Sequence, residues 1–216
     1  MATELLGPER TAAIATIRTS HYTHSVPSGK SHYFRHGDAL VVFSIPANQF
    51  VGKFLFGVKR NVWELSRLWA PDGHERNLLT RAISRSVRAL KQREPGVWGL
   101  VSYADPNVGH AGFVYRAASW LACGQVEESR YYRSADGTVV SRRKFHSGGG
   151  VCMTKAQILA AGYTETKQPG RLRYCLPLSS TARREFLRWW ASPERQIRHP
   201  SPSEVSCLTP SIPASA

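Results

Sequence analysis

Val97–Gly124, VWGLVSYADPNVGHAGFVYRAASWLACG, joins a buried strand to a short helix through a turn that holds one acid. Val97, Trp98, Leu100 and Val101 make the strand, Asp105, Pro106, Asn107 and Gly109 the turn, and the helix is expected from about His110 to Trp120. A second apolar strand follows. Strand, glycine-bearing turn and helix form the grammar of an α/β sheet, whose ligands sit at the carboxyl ends of strands. Asp105 would stand at such an end, with Tyr115 on the helix facing back toward it.

Immediately upstream, Leu79, Ala82, Ile83, Ser86, Val87 and Leu90 recur at helical spacing, opposite Arg81, Arg85, Arg88 and Gln92. This predicts a two-faced helix over Asn77–Arg93 that packs its apolar side on the sheet. Asp72 and Glu75 have capping-box spacing just before it. Glu94-Pro95-Gly96 ends it. Further back, Ala39–Ile45 and Gln49–Val58 read as a hairpin of two β-branched and aromatic strands, and Trp63–Trp69 as a third strand stopped by Pro71 and Gly73. The segment HYTHSVPSGKSHYFRHGD, with His21, His24, His32 and His36, reads as a loop able to supply bases or metal ligands. Residues 1–20 form a weakly helical or irregular lead-in.

Downstream, Gln125–Tyr132 and Thr138–Phe145 are expected to pair as a hairpin through Ser134-Ala135-Asp136-Gly137. Its second arm carries Arg142, Arg143, Lys144 and His146 and runs into three glycines, so it is either nucleic-acid-contacting equipment or an edge strand guarded by charge. Lys155–Ala161 suggests a short helix, Gly162–Thr166 a turn, Arg171–Leu178 a late strand and Thr181–Trp190 a closing helix. From Ser192 the chain is Ser/Pro-rich and expected to be disordered. The expected organisation is therefore a lead-in over 1–20, a single catalytic domain over 21–191, and a tail over 192–216.

The 216 residues, 42% hydrophobic, suffice for one sizeable core. Lys and Arg number 29 against 15 Asp and Glu, a net charge of +14 and a pI near 10.2. A polyanionic partner is the natural consequence, because neutralising phosphates releases counterions. The four cysteines (Cys123, Cys152, Cys175 and Cys207) have neither zinc-ribbon nor disulfide-framework spacing, which fits free thiols in a reducing compartment. No signal-peptide core is seen, and the longest apolar run is too short to span a membrane. An intracellular, cytoplasmic protein is expected.

The order of strand pair, strand, basic-faced helix, strand, helix and strand resembles the GNAT acyl-CoA-dependent N-acetyltransferases. The fold class implied is α+β or α/β: a GNAT-like mixed central sheet flanked by helices, with a basic C-terminal β-hairpin extension. In that family the strand before the long helix and the helix start hold the CoA pyrophosphate, which suits the dipole and free N–H groups there. Carried over, this implies acetyl-CoA binding by Leu68, Trp69, Asn77, Leu78, Thr80 and Arg81. The helix start lacks the Q/R-x-x-G-x-G/A signature of the common family.

SYADPNVGHAGFVYRAASWLACGQ, with HYTHSVPSGK, ELSRLW and NLLTRAI upstream, more closely resembles the Mom family of bacteriophage DNA-modification proteins, a divergent branch of that fold. The resemblance covers roughly His21 to Gly124. It implies conversion of adenine in phage DNA to N6-carbamoylmethyladenine, which resists restriction, with double-stranded DNA and a CoA thioester as partners and no membrane. It also implies that His21, Tyr22, Asp105 and Tyr115 form the reaction centre. Asp105 would act on the adenine amine as base or hydrogen-bond acceptor, Tyr115 would protonate the CoA thiolate, and His21 would carry protons. Acetyl transfer alone gives an amide, not a glycinamide substituent, so a bound metal is one route to the adduct. The same four residues offer imidazole, carboxylate and phenolate, a set competent for iron. Arg85 and Arg88 on the helix, with Arg142, Arg143 and Lys144 on the hairpin, are the expected DNA contacts. The competing readings are a conventional N-acetyltransferase acting on a protein or small-molecule amine, and a non-enzymatic nucleic-acid-binding protein.

Overall fold

A computed structural model of the chain describes residues 2–141, 145 and 153–198. Arg142, Arg143, Lys144, His146 and the glycine run after them lie outside the described residues, as does the chain beyond 198. In chain order the elements are β1 (Thr3–Glu4), α1 (Gly7–Ser20), β2 (Ser31–His36), β3 (Ala39–Ser44), α2 (Val51–Phe56), β4 (Val62–Trp69) and α3 (Leu78–Arg93). There follow β5 (Gly99–Ala104), a 3-10 turn (Pro106–Val108), α4 (Phe113–Ala117), β6 (Leu121–Gln125), β7 (Ser129–Arg133), β8 (Val139–Ser141) and α5 (Lys155–Ala160). The last are β9 (Thr164–Gln168), β10 (Leu172–Pro177), α6 (Ser180–Trp190) and α7 (Pro193–Arg198). Two compact units result: one takes the chain up to Tyr103, Phe113–Gly124 and the chain from Arg173, the other Ala104–Gly112 and Gln125–Leu172.

The first unit is built on a mixed seven-stranded sheet of order β1-β2-β3-β4-β5-β10-β6. The chain from β1 to β4 pairs antiparallel, and β4 pairs parallel with β5. A parallel pair needs a crossover, which α3 supplies. A mixed central sheet flanked by helices is what the sequence implies. α3 buries Ala82, Ile83, Ser86, Val87 and Leu90 as read, but in its first turn it is Leu78, not the expected Leu79, that faces the core. Its start also differs, since Asn77 takes a left-handed φ of 63° and no side chain caps the helix, so Asp72 and Glu75 do not form a capping box there.

Several local expectations change, each for a tertiary reason. The lead-in is a full helix with Pro8 in its first turn. Ala13 and Ile17, one turn apart, are buried against Tyr33, Leu40 and Val42. The second half of the histidine-rich loop is β2, which alternates between two apolar layers and pairs with β3 from Ser31↔Ser44 to His36↔Ala39. The true hairpin is therefore β2–β3. Gln49–Val58, expected as its second strand, is instead helical at α2: Val51 and Leu55, and Gly52 and Phe56, are i,i+4 pairs buried on one face. Gly52 permits close approach here, because a Cβ would stand 2.2 Å from the Arg60 carbonyl oxygen. Helix α4 is shorter than the expected His110–Trp120; Ser119, at φ 63°, turns the chain out, and Trp120 N–H donates to the Tyr115 carbonyl. Cys123 and Cys175, distant in sequence, lie against each other as buried free thiols, and burial pushes the Cys175 thiol well up.

The second unit carries a three-stranded antiparallel sheet of order β8-β7-β9. The expected hairpin is present in shortened form as β7–β8, and the turn expected over Gly162–Thr166 holds at Gly162 but gives way to β9 from Thr164. Helix α5 opens with a reciprocal capping box between Thr154 and Gln157. Tyr132, Phe145 and Tyr163 meet edge to face, with centroids 5.5 and 5.0 Å apart. Its cations are partly neutralised: Arg130 and Lys155 both pair with Glu165, and Lys167 with Glu128. In the first unit, α7 follows α6 where the sequence suggests disorder. Among the described residues no helix is long and apolar enough to cross a membrane.

Candidate active site

The β4–β5 ladder is short. It runs from Val62↔Gly99 to Glu64↔Val101, although β4 continues to Trp69 and β5 to Ala104. Beyond Val101 the strands share no ladder pairs, and the edge of β4 there is left without a strand partner on that side. Ser102 Oγ occupies the first step of the parting, 2.8 Å from the Leu65 carbonyl oxygen and 2.8 Å from the Tyr115 hydroxyl. Ser102 is fully buried and Tyr115 is 8% exposed. A single hydroxyl proton serves one acceptor at a time, so with the Leu65 carbonyl taking it, Ser102 accepts from Tyr115.

Burial pushes the Tyr115 phenol up to about 12, and Tyr22, Glu64 and Tyr174 raise it further. Tyr115 is therefore a neutral proton donor throughout the physiological range. Its ring is clamped between Trp120 and Tyr174, at 5.4 and 5.1 Å between centroids. Helix α4 brings Tyr115 from the side of α3, against which it packs.

The end of α1 brings the next pair. His21 is 6% exposed and its ring stacks on that of Tyr22, 4.5 Å between centroids. The Thr23 backbone N–H donates to His21 Nδ1 at 3.1 Å, so the neutral ring carries its proton on Nε2. Tyr22 is 42% exposed. Of the four expected centre residues, His21, Tyr22 and Tyr115 belong to the first unit, with His21 and Tyr22 in ring contact. Ser102 and Glu64 were missed in the sequence. Their signal is a serine and an acid set inside otherwise apolar strands, GLVSYA and VWELSRLW.

Asp105 belongs to the second unit. It caps the 3-10 turn, its Oδ1 accepting from Asn107 N–H at 3.0 Å and Asn107 Nδ2 at 2.9 Å. Both bonds fall on one oxygen, which leaves Oδ2 as the acceptor edge. Pro106 fixes the first residue of the turn and Asn107 Nδ2 also reaches the Pro169 carbonyl, so the carboxylate is held rather than swinging.

Of the residues expected to hold CoA, Leu68 and Trp69 are half-buried on the unpaired length of β4, where they pair only with Val41 and Leu40 of β3. Asn77, Leu78 and Thr80 open α3, whose first turn has no acidic side chain and no side-chain cap, so its N–H groups are suited to an anion. Arg81 is engaged by Glu75 at 2.6 Å. Arg85 and Arg88 are exposed on the outer face of α3. The iron expectation gains no support. Among the described residues no three His, Cys, Asp or Glu side chains gather as a metal group. Tyr115 is a hydrogen-bonded phenol whose ionisation its surroundings oppose, and His21 Nδ1 and Asp105 Oδ1 already accept backbone N–H groups. The donor set does not fit the ion, and no step below passes through a metal.

Comparison with known proteins gives three kinds of likeness. Methylcarbamoylase mom of Escherichia phage Mu is 36% identical over 72 residues, which is 33% of this chain and 30% of that protein, so the match spans under a third of the relative's length. Among solved structures, the ribosomal-protein-S18-alanine N-acetyltransferase of Escherichia coli superposes with a TM-score of 0.44 at 12% identity, over 83% of this chain and 94% of that one. An agmatine N-acetyltransferase gives 0.43 at 12% identity, over 82% and 99%. The model of the Mom protein family matches residues 7–194, nearly the whole described chain, and the protein therefore belongs to the Mom protein family.

Proposed function

We propose that this protein is a DNA-modification enzyme that uses an acetyl-CoA-type donor to convert adenine in double-stranded phage DNA to N6-carbamoylmethyladenine, protecting the DNA from host restriction. The observation that carries the reading is the buried Tyr115–Ser102 pair where β4 and β5 part, in a chain of the Mom family. A thioester laid along the unpaired edge of β4 would present its sulfur to a phenol that stays protonated until about pH 12. When the thiolate leaves, Tyr115 gives it the proton, and Ser102 turns its own hydroxyl proton from the Leu65 carbonyl to the phenolate. The first turn of α3 takes the donor's diphosphate.

Asp105 Oδ2 accepts from the adenine N6 amine and orients it, and His21 Nε2 exchanges protons with the reacting groups. An acetyl donor accounts for two carbons of the adduct; a second, amine-bearing reactant attacks the carbonyl, expels the thiolate and supplies the amide nitrogen, and joining the methyl carbon to N6 removes two hydrogens, which a two-electron acceptor must take up as a further co-reactant. The net charge of +14 favours DNA as the polymer bound. Mass spectrometry of nucleosides from cells expressing the protein tests the reading. A carbamoylmethyl adduct on adenine is expected, whereas a simple acetyl adduct or unmodified adenine overturns it.

A further inference from the structure

We infer that the first unit holds a pocket for an unstacked purine between α2, α6 and the ends of β5 and β10; that the purine is the adenine to be modified rests on the function proposed above. The pocket measures about 350 Å³, within the roughly 300–1,000 Å³ of small-molecule sites. Phe54, Tyr103 and Trp189 give it aromatic walls, and Lys53 and Arg173 are its cations. The Trp189 ring is fixed by its Nε1–H, which donates to the Phe54 carbonyl at 2.9 Å. The Arg173 guanidinium lies 4.0 Å from the centroid of the Phe54 ring, and its Nε is buried with no hydrogen-bond partner among the described residues. Among the described residues no carboxylate lines the pocket.

These features select the ligand by chemistry. An apolar peptide or lipid chain leaves the Lys53 and Arg173 charges unanswered, and a bare phosphate leaves the aromatic walls unused. A nucleotide answers both, with its ring stacked on the aromatics, a ring nitrogen or carbonyl facing Arg173, and its phosphates near the cations. Phe50, 65% exposed, stands at the pocket beside α2. Apolar wedges of this kind enter the gap in a base stack, and enzymes acting on a base extrude it from the duplex. Tyr103 follows Ser102 on β5, and side chains alternate along a strand, so the pocket lies one residue beyond the Tyr115 hydroxyl pair on the other face of the sheet.

The test uses the full chain and short single-stranded oligonucleotides containing either one adenine or an abasic site at the same position. Wild type is expected to bind the adenine strand about tenfold more tightly, the size of one base–aromatic stack. Tyr103→Ala and Phe50→Ala should bring that ratio close to one while the abasic Kd stays unchanged. Phe50 is exposed enough that its loss leaves the fold intact, and an unchanged thermal midpoint checks Tyr103→Ala. A wild-type ratio near one, or variants that weaken both strands equally, overturns the pocket. The two readings fail separately: modified adenine in DNA from cells expressing Tyr103→Ala at the wild-type level removes the pocket and leaves the proposed function standing. Base-selective binding with no modified nucleoside in wild-type cells does the reverse.

Discussion

Tyr115 and Asp105 are ten residues apart in one quoted stretch, yet they live under opposite physical conditions. Tyr115 sits in a dry, aromatic-walled place in the first unit, where burial and neighbouring negative charge keep it neutral. Asp105 caps an outer turn of the second unit, with one oxygen tied to Asn107 and the other left as an acceptor. The lesson is that two titratable groups close in sequence can be given very different surroundings, one dry and one tied to a turn. Either group would be poor at the other's work.

The comparison breaks most visibly at Asp105. Asp105→Ala should lower adenine modification by about 10²–10⁴-fold, the usual contribution of a general base or positioned acceptor, while DNA affinity stays near wild type. Nucleoside mass spectrometry beside filter binding measures both, and a collapse of affinity would make the residue a contact instead. Tyr115→Phe should cost about 10²-fold in rate if the phenol supplies the proton. Its stability should change by less than about 1 kcal/mol, because Ser102 keeps the Leu65 carbonyl as partner.

Ser102→Ala sharpens the contrast from the stability side. It leaves the buried Tyr115 hydroxyl and Leu65 carbonyl without their shared partner, so chemical denaturation should show a loss of about 1–3 kcal/mol. Ultraviolet difference titration should find one tyrosine ionising near pH 12, absent in Tyr115→Phe. Since the folded pKa is raised, the folded state holds that proton longer, and stability declines as pH rises from the ordinary tyrosine value toward about 12. The smallest effect concerns Glu94, whose carboxyl is held below its usual range by hydrogen bonds from Lys30, then His32. Its stabilisation is present above the ordinary carboxylate value and fades as pH falls through the lower folded value. Glu94→Gln should therefore flatten the acid side of the stability profile.

Helix α3 was legible because its burial follows one period, and Leu78 to Leu90 repeat at i, i+3 and i+4. The mixed sheet was legible from the sequence of strand and helix signals. Helix α2 was not, since VGKFLF is apolar at both strand and helix periods over six residues, and only packing against α6 selects the helix. Strand β2 was masked by its histidines and arginine, which carry no strand signal until β1 and β3 pair with it on either side. At the site, Tyr115 and Asp105 were found because they belong to a long ordered string. Ser102 and Glu64 were passed over because a serine or an acid inside a strand declares nothing until its neighbours are known.

By itself the sequence determined the charge, the family string and the regular elements whose periodicity is local, because each depends on residues within a turn or two of one another. Tertiary structure alone decided which strand pairs end early, that the Tyr115 phenol holds its proton beyond the ordinary tyrosine range, and that an aromatic pocket lined by Arg173 opens beside α2. Those are properties of distance and dielectric between residues remote in the chain, and no local pattern encodes them.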